Sequence, residues 1–250
     1  MNNILFICAL PEEKAALTET LSSLLRRHLI SAPLQLHLEQ YRQQQLNIYV
    51  CESGMGNVNA GVKLALILAN VEIQQIVLIG VGGALTPALE IGEMVLSDAV
   101  IQHDYYSSLI QGDYLMQPGD LILEPGQALQ YDPIMRSAVS QLDISELVHP
   151  KVKVNYGLIA SGCEFVATAK RKAHIHQQCQ NALLVDMEAC AIAQVANAHC
   201  VPFFIAKTVS DKLHSDGSIS SDFSSFLSNA SRNAAIIAGL IIDKACVRAR

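Results

Sequence analysis

Three carboxylates stand where apolar runs break off. They are Glu13 in Leu10-Pro11-Glu12-Glu13, Glu188 in Val185-Asp186-Met187-Glu188-Ala189-Cys190-Ala191, and Asp211 in Ala206-Lys207-Thr208-Val209-Ser210-Asp211. A carboxylate at such a place can take a proton from water, accept hydrogen bonds from sugar hydroxyls, or give a proton to a ring nitrogen if it is kept protonated. A Glu of the first stretch suits the first task, Glu188 the second, and Asp211 held by Ser210 the third. Each also has a plain structural meaning. Glu12 and Glu13 suit the first turn of a helix, Asp186 and Glu188 a helix cap and its dipole, and Ser210-Asp211 a turn closing a strand. Gly80-Val81-Gly82-Gly83 follows another apolar run and lets backbone approach a ligand closely. The dinucleotide-binding register from Gly80 fails at Leu85, and no Gly-Lys-Ser/Thr follows to make a phosphate loop. A tight strand exit and a ligand cradle explain this turn equally well.

The elements that must position these residues alternate between strand and helix. Asn3–Ala9 is a short buried strand, and Pro11 fits the first turn of a helix whose leucines (Leu17, Leu21, Leu24, Leu25) recur at helical spacing. Leu34–His37 and Leu46–Cys51 alternate like a hairpin. Gly54–Gly56 opens a helix through about Asn70, Gln75–Ile79 is a strand ending at the glycines, and Glu93–Ile101 is another strand. His103 to Pro133 reads as a long irregular insertion. A helix near Ile134–Leu142, a strand near Val154–Ala160, a helix near Thr168–Gln178 and a strand at Leu183–Asp186 follow. Helix Glu188–Ala198, strand Pro202–Val209 and helix Asp222–Ala245 close the chain. This order predicts an α/β fold, a single-domain three-layer sandwich over residues 1–250. Its mixed, mostly parallel sheet would be flanked by helices and collect ligands at the carboxyl ends of its strands.

Composition narrows the function class. Of 250 residues 51% are hydrophobic and 16% charged, enough for a large core, and the net charge of −6 argues against nucleic acid or anionic membrane as partner. With no Trp, stacking on single strands is disfavoured too. No apolar run reaches the roughly 20 residues of a membrane span. The seven cysteines lack CxxC spacing and read as thiols of a reducing compartment, so no metal is expected and the cytoplasm is.

In order and spacing, the whole chain from Ile4 to about Lys244 resembles the nucleoside phosphorylase/nucleosidase superfamily. It is most like the 5′-methylthioadenosine/S-adenosylhomocysteine nucleosidase branch. The landmarks are Cys8-Ala-Leu-Pro-Glu-Glu13, Ser53-Gly-Met-Gly-Asn57, Gly80-Val-Gly-Gly-Ala-Leu85, Ile91-Gly-Glu-Met-Val-Leu-Ser-Asp98, His103-Asp104, Gly157-Leu-Ile-Ala-Ser-Gly162 with Phe165, Val185-Asp-Met-Glu188, and Ser210-Asp211. The resemblance implies a nucleoside phosphorylase-like fold and cleavage of the N-glycosidic bond of a purine nucleoside without a cofactor. It implies that Glu13 activates water, Glu188 holds the ribose hydroxyls, and Asp211, oriented by Ser210, protonates N7. Phe165 would stack on the base, the Val166 backbone read its edge, and Met187 pack under the ribose.

Phosphorylases of this superfamily carry Arg before the glycine turn and Ser or Thr within it, where this chain has Leu78 and Val81. Glu13 would repel phosphate, so hydrolysis is expected over phosphorolysis. Nucleosidases often carry Ser at the place of Val81 as well, beside Gly82 in the expected binding turn. The resemblance further implies an apolar 5′ pocket closed by Phe223 or Phe226, with Tyr105–Leu115 of a partner subunit in a homodimer. Futalosine-type nucleosidases share the acids, and a non-catalytic nucleoside-binding relative is a third alternative. His103-Asp104 is expected to be structural and His214 a solvent-facing loop residue.

Overall fold

The computed structural model describes residues 2–29, 37–43, 45–109, 112–115, 133–138, 152–213, 219–220, 233, 236 and 238–242. The chain begins with strand β1 (Asn2–Cys8), helix α1 (Pro11–Leu24), strands β2 (Arg26–Leu29), β3 (Glu39–Gln43) and β4 (Leu46–Glu52), and helix α2 (Asn57–Asn70). Strands β5 (Gln75–Ala84), β6 (Met94–Ser97), β7 (Ala99–Gln102), β8 (Tyr106–Leu109), β9 (Gly112–Leu115), β10 (Ile134–Arg136), β11 (Val154–Tyr156) and β12 (Ile159–Ser161) come next. Helix α3 (Ala169–Gln178), strand β13 (Leu184–Asp186), helix α4 (Ala189–Ala198), and strands β14 (Phe203–Leu213) and β15 (Ile219–Ser220) follow. Residues 238–242 are helical.

Side-chain alternation along β1 explains the layers. Leu5 and Ile7 enter a core with Leu64 and Ile67 of α2 and Ala189 and Ile192 of α4. Ile4 and Phe6 point the other way, to Leu17 and Leu21 of α1 and to Ile241 and Ile242. A strand that is apolar on both faces has to be covered on both, as the expected three-layer α/β sandwich requires.

The middle of the sheet, β4-β1-β5-β14, is parallel, and antiparallel strands are added around it. β14 also pairs antiparallel with β6; β7 continues from β6 and pairs with β12; β12 pairs with β13; and β13 returns antiparallel to β5. These six strands close a ring, with β1-β4-β3-β2 as an open wing. On β14 the register shifts between Val209, opposite Gly82, and Asp211, opposite Gly83, so Ser210 is an extra residue at a β-bulge.

Four sequence expectations are corrected. Ile134–Arg136 is a strand paired with β7 rather than the start of a helix, because Ile134 and Met135 are buried against that edge; residues 139–142 lie outside the described residues. The strand expected at Glu93–Ile101 is two, broken at Asp98, where the Ser97 hydroxyl donates to Ala99 O at 2.7 Å. The long insertion begins as the β8–β9 hairpin. Finally, the strand paired antiparallel with β4 is Glu39–Gln43, while residues 34–36 of the expected Leu34–His37 lie outside the described residues.

Candidate active site

A cavity of about 280 Å³ opens at the ends of β1, β5, β13 and β14, where the strand order predicts a ligand site. Leu10, Met55, Phe165, Val166 and Met187 give it apolar walls, and Glu13, Glu188 and Asp211 stand at its edge. All three sequence-derived acids therefore meet in one place.

Glu13 is the third residue of α1, and its side chain turns back over the helix start. Oε2 accepts the Ala9 and Leu10 amides at 2.9 and 3.0 Å, and Oε1 accepts the Val81 amide at 3.0 Å. The acidic first turn is thus a real cap, but one that also fixes a carboxylate against β5. Burial pushes the Glu13 carboxyl up and nearby Glu188 adds to this, while Lys207 and the Ala9 and Leu10 amides oppose it. Gly80 has to be glycine here: a Cβ would lie 2.8 Å from Glu13 Oε1 and 3.1 Å from Lys207 Nζ.

Glu188 is the N-cap residue of α4 and is buried. Its Oε1 accepts the Gly56 amide at 2.9 Å and its Oε2 the Lys207 ammonium at 3.1 Å. Lys207 also reaches Asp186 Oδ2 at 2.9 Å, and Asp186 accepts the Ala189 amide at 3.2 Å. Asp186 is therefore a helix cap, as its position in the sequence suggested, and an ion-pair partner besides. Burial alone would lower Lys207, but the carboxylates of Asp186, Glu188 and Glu13 outweigh it and hold the ammonium well above its usual range.

Asp211 ends the bulge. Ser210 Oγ lies 3.1 Å from Gly82 O and 3.2 Å from Asp211 Oδ1, so its one hydroxyl proton serves either the sheet or the acid. The other oxygen, Oδ2, meets the ammonium of Lys172, a fully buried residue of α3. Gly82 borders the cavity, yet its lack of a side chain serves packing, since a Cβ would lie 2.3 Å from Leu184 Cδ2 and 2.8 Å from Val185 O.

Phe165 is 67% exposed and lines the cavity, where a flat ligand could lie against its ring. Val81, Val166 and Met187 line it as well. Phe223, Phe226 and His214 lie outside the described residues, and so does part of Tyr105–Leu115. Asp104 ties two loops together, its Oδ2 accepting the Cys163 amide at 2.6 Å and its Oδ1 the Gln102 amide nitrogen at 2.7 Å. His103 is buried beside Gly162, and burial pushes its imidazole down. Asp104 therefore has a structural role within the chain.

A carboxylate, a second carboxylate on a lysine, and a third acid lining one apolar-walled cavity suit attack of water on a sugar–base bond. Residues 3–243 match the family described as the phosphorylase superfamily. The chain belongs to this superfamily. Within it, the chain is 28% identical over 244 residues to the 5′-methylthioadenosine/S-adenosylhomocysteine nucleosidase of Mycobacterium bovis, covering 92% of each chain. It also resembles a mutant of the Helicobacter pylori nucleosidase with 5′-methylthioadenosine in the active site, with TM-score 0.75, 20% identity, and 97% and 99% of the two chains covered. The futalosine hydrolase of Helicobacter pylori is similar too, with TM-score 0.72, 21% identity, and 97% of each chain covered. These superfamily structures share the fold of this chain at low identity.

Two charged residues of this superfamily site escaped the sequence reading. Lys207 carried a signal, a charge inside the apolar run Phe203–Val209, which a buried strand accepts only with a partner. Lys172 carried none, because Ala169-Lys-Arg-Lys-Ala-His174 looks like a solvated helix face.

Proposed function

We propose that this chain is a purine nucleosidase that hydrolyses the N-glycosidic bond of 5′-methylthioadenosine and S-adenosylhomocysteine to release adenine. The single observation that carries hydrolysis is the buried Glu13 carboxylate beside the glycines of β5. The nearest cation, Lys207, is already shared by Asp186 and Glu188. A phosphate brought there would meet a carboxylate, whereas a water would meet a base. Leu78, at the place where phosphorylases carry Arg, is fully buried among apolar side chains.

In this reading Glu13 takes the proton of the attacking water and Glu188 holds the ribose hydroxyls. Asp211, with Ser210, protonates N7 of the leaving base while Phe165 stacks on it. Val166, Met187, Val81 and Gly82 form the walls, and Phe223 closes the 5′ side. The reaction suits groups of unequal proton affinity on opposite sides of the bond, because the base leaves as an anion unless protonated and water is a weak nucleophile.

We also read the chain as one domain working as a homodimer in the cytoplasm. Val58, Val62 and Leu66 form an exposed apolar stripe along α2, 75%, 56% and 42% exposed, with Met55 beside it. A second copy would cover such a stripe. The free thiols of Cys8, Cys51, Cys179 and Cys190 suit a reducing compartment.

The test is to incubate the protein with 5′-methylthioadenosine, S-adenosylhomocysteine and futalosine, with and without phosphate, and measure free base. Adenine release independent of phosphate is the expected outcome. A strict phosphate requirement would overturn hydrolysis, and cleavage of futalosine alone would overturn the substrate. No release from any of them would favour a binding protein.

A further inference from the structure

Lys172 is a buried charge that the reaction just described leaves unused. It lies in the first turn of α3, has no exposed surface, and holds Asp211 Oδ2 with its ammonium. The space comes from Gly83, where a Cβ would lie 2.8 Å from Asp211 Oδ1 and 3.0 Å from Lys172 Nζ. Asp211 lines the cavity and Lys172 does not, so the lysine stands behind the acid as seen by a ligand. A lysine taken out of water needs a counter-charge, and Asp211 supplies it. The same contact opposes the role of Asp211, because a carboxylate that holds an ammonium has no proton of its own to give. The two roles agree when the proton comes from the ammonium.

We propose that Lys172 is a positioning residue that supplies, through Asp211, the proton taken up by the leaving base. This rests on the reading of Asp211 as the acid. As the glycosidic C–N bond breaks, its electron pair goes to the base. Asp211 takes a proton from Lys172 Nζ and passes it to N7. An N7–H bond forms, an Nζ–H bond breaks, Asp211 ends as a carboxylate and Lys172 as a neutral amine. Water adds to the anomeric carbon and gives its proton to Glu13. When the products leave, Glu13 gives its proton to solvent, solvent returns one to Asp211 at the cavity wall, and Asp211 passes it to Lys172, so charge is conserved throughout. A lysine can run this cycle because it can release a proton, which an arginine does not.

The experiment compares wild type, K172M, K172R and D211N on 5′-methylthioadenosine and on 4-nitrophenyl β-D-ribofuranoside, whose nitrophenolate departs without a proton. K172M is expected to lose about 10²–10³-fold in kcat on the nucleoside, the range of one proton transfer, and to keep its turnover of the nitrophenyl riboside. K172R, with the charge but no proton to release, is expected to fail in the same selective way. Equal loss on both substrates would make Lys172 a packing residue and overturn the proposal. Recovery of nucleoside turnover in K172R would overturn proton supply. Full nucleoside activity in K172M beside an inactive D211N would overturn the role of Lys172 alone. Full nucleoside activity in D211N would overturn the reading of Asp211 itself.

Discussion

Replacing Lys207 by Met tests the electrostatic frame of the site. Its ammonium lies 2.9 Å from Asp186 Oδ2 and 3.1 Å from Glu188 Oε2, and all three side chains are at most 5% exposed. At an effective dielectric of about 20, each contact is an attraction of about 5–6 kcal/mol, much of it offset by the desolvation of three charges. K207M removes the attraction and leaves the carboxylates buried, so the loss is about 3–5 kcal/mol, the range for breaking a buried pair from one side. In a chain of this size that lowers Tm by about 6–20 °C. The loss has a definite pH dependence. In the wild type the raised Lys207 contributes stability that is fully present below the usual 10.5 and is lost only as pH climbs beyond it, so this group adds no slope between pH about 5.5 and 8. In K207M the largest influence holding Glu13 down is gone, and its carboxyl, already raised by burial, rises further. A carboxyl raised on folding favours the native state at low pH and costs stability as pH rises. The variant should therefore melt higher at pH about 5.5 than at 8. Thermal melts by circular dichroism across that range read both effects. A K207M variant with the wild-type Tm and a flat pH profile would refute the reasoning.

Glu13 must be ionised to accept a proton from water, and burial pushes it up from 4.5, so the acid limb of kcat/KM should lie above that value; a limb at or below it would contradict the assignment. G80A should lose at least about tenfold in kcat with a small change in Tm, because its Cβ displaces the Glu13 carboxylate and the Lys207 ammonium. G82A should do the reverse in kind, losing about 1–3 kcal/mol of stability because its Cβ meets Leu184 and a backbone oxygen; equal effects of the two in melting and kinetics would show that this division is wrong. F165A should raise KM about tenfold with kcat less affected, as measured by steady-state adenine release, since it removes one stacking surface.

The layered fold was legible because apolar runs such as Ile4–Ala9 and Gln75–Ile79 carry their own period, and Pro11 and Gly54–Gly56 mark where helices start. Ile134–Arg136 was not, because a three-residue strand is defined by its partner β7 and not by its own residues. In the site, Glu13, Glu188 and Asp211 each stand near the end of an apolar run. A helix turn, a cap or a strand-end turn explains them as well, and it was the resemblance over the whole chain that singled them out. Lys172 could not be found, because its charge is met by Asp211, 39 residues further along the chain, and a long-range contact leaves no local mark. Lys207 was visible as a charge among Phe, Ile and Val, and a count of buried charges against partners would have paired it with Asp186 and Glu188.

The bulge at Ser210 sets the interests of the sheet against those of the site. Without that residue, Val209 and Asp211 would be neighbours opposite Gly82 and Gly83, and the ladder with β5 would run unbroken. Such a chain would be a better sheet. It would also lose the hydroxyl beside Asp211 and the local turn that aims the acid at the cavity. On the proposed function, a single-codon deletion here is expected to give a more regular sheet and to lower turnover. In that reading, the irregularity trades regular pairing for the placement of the acid.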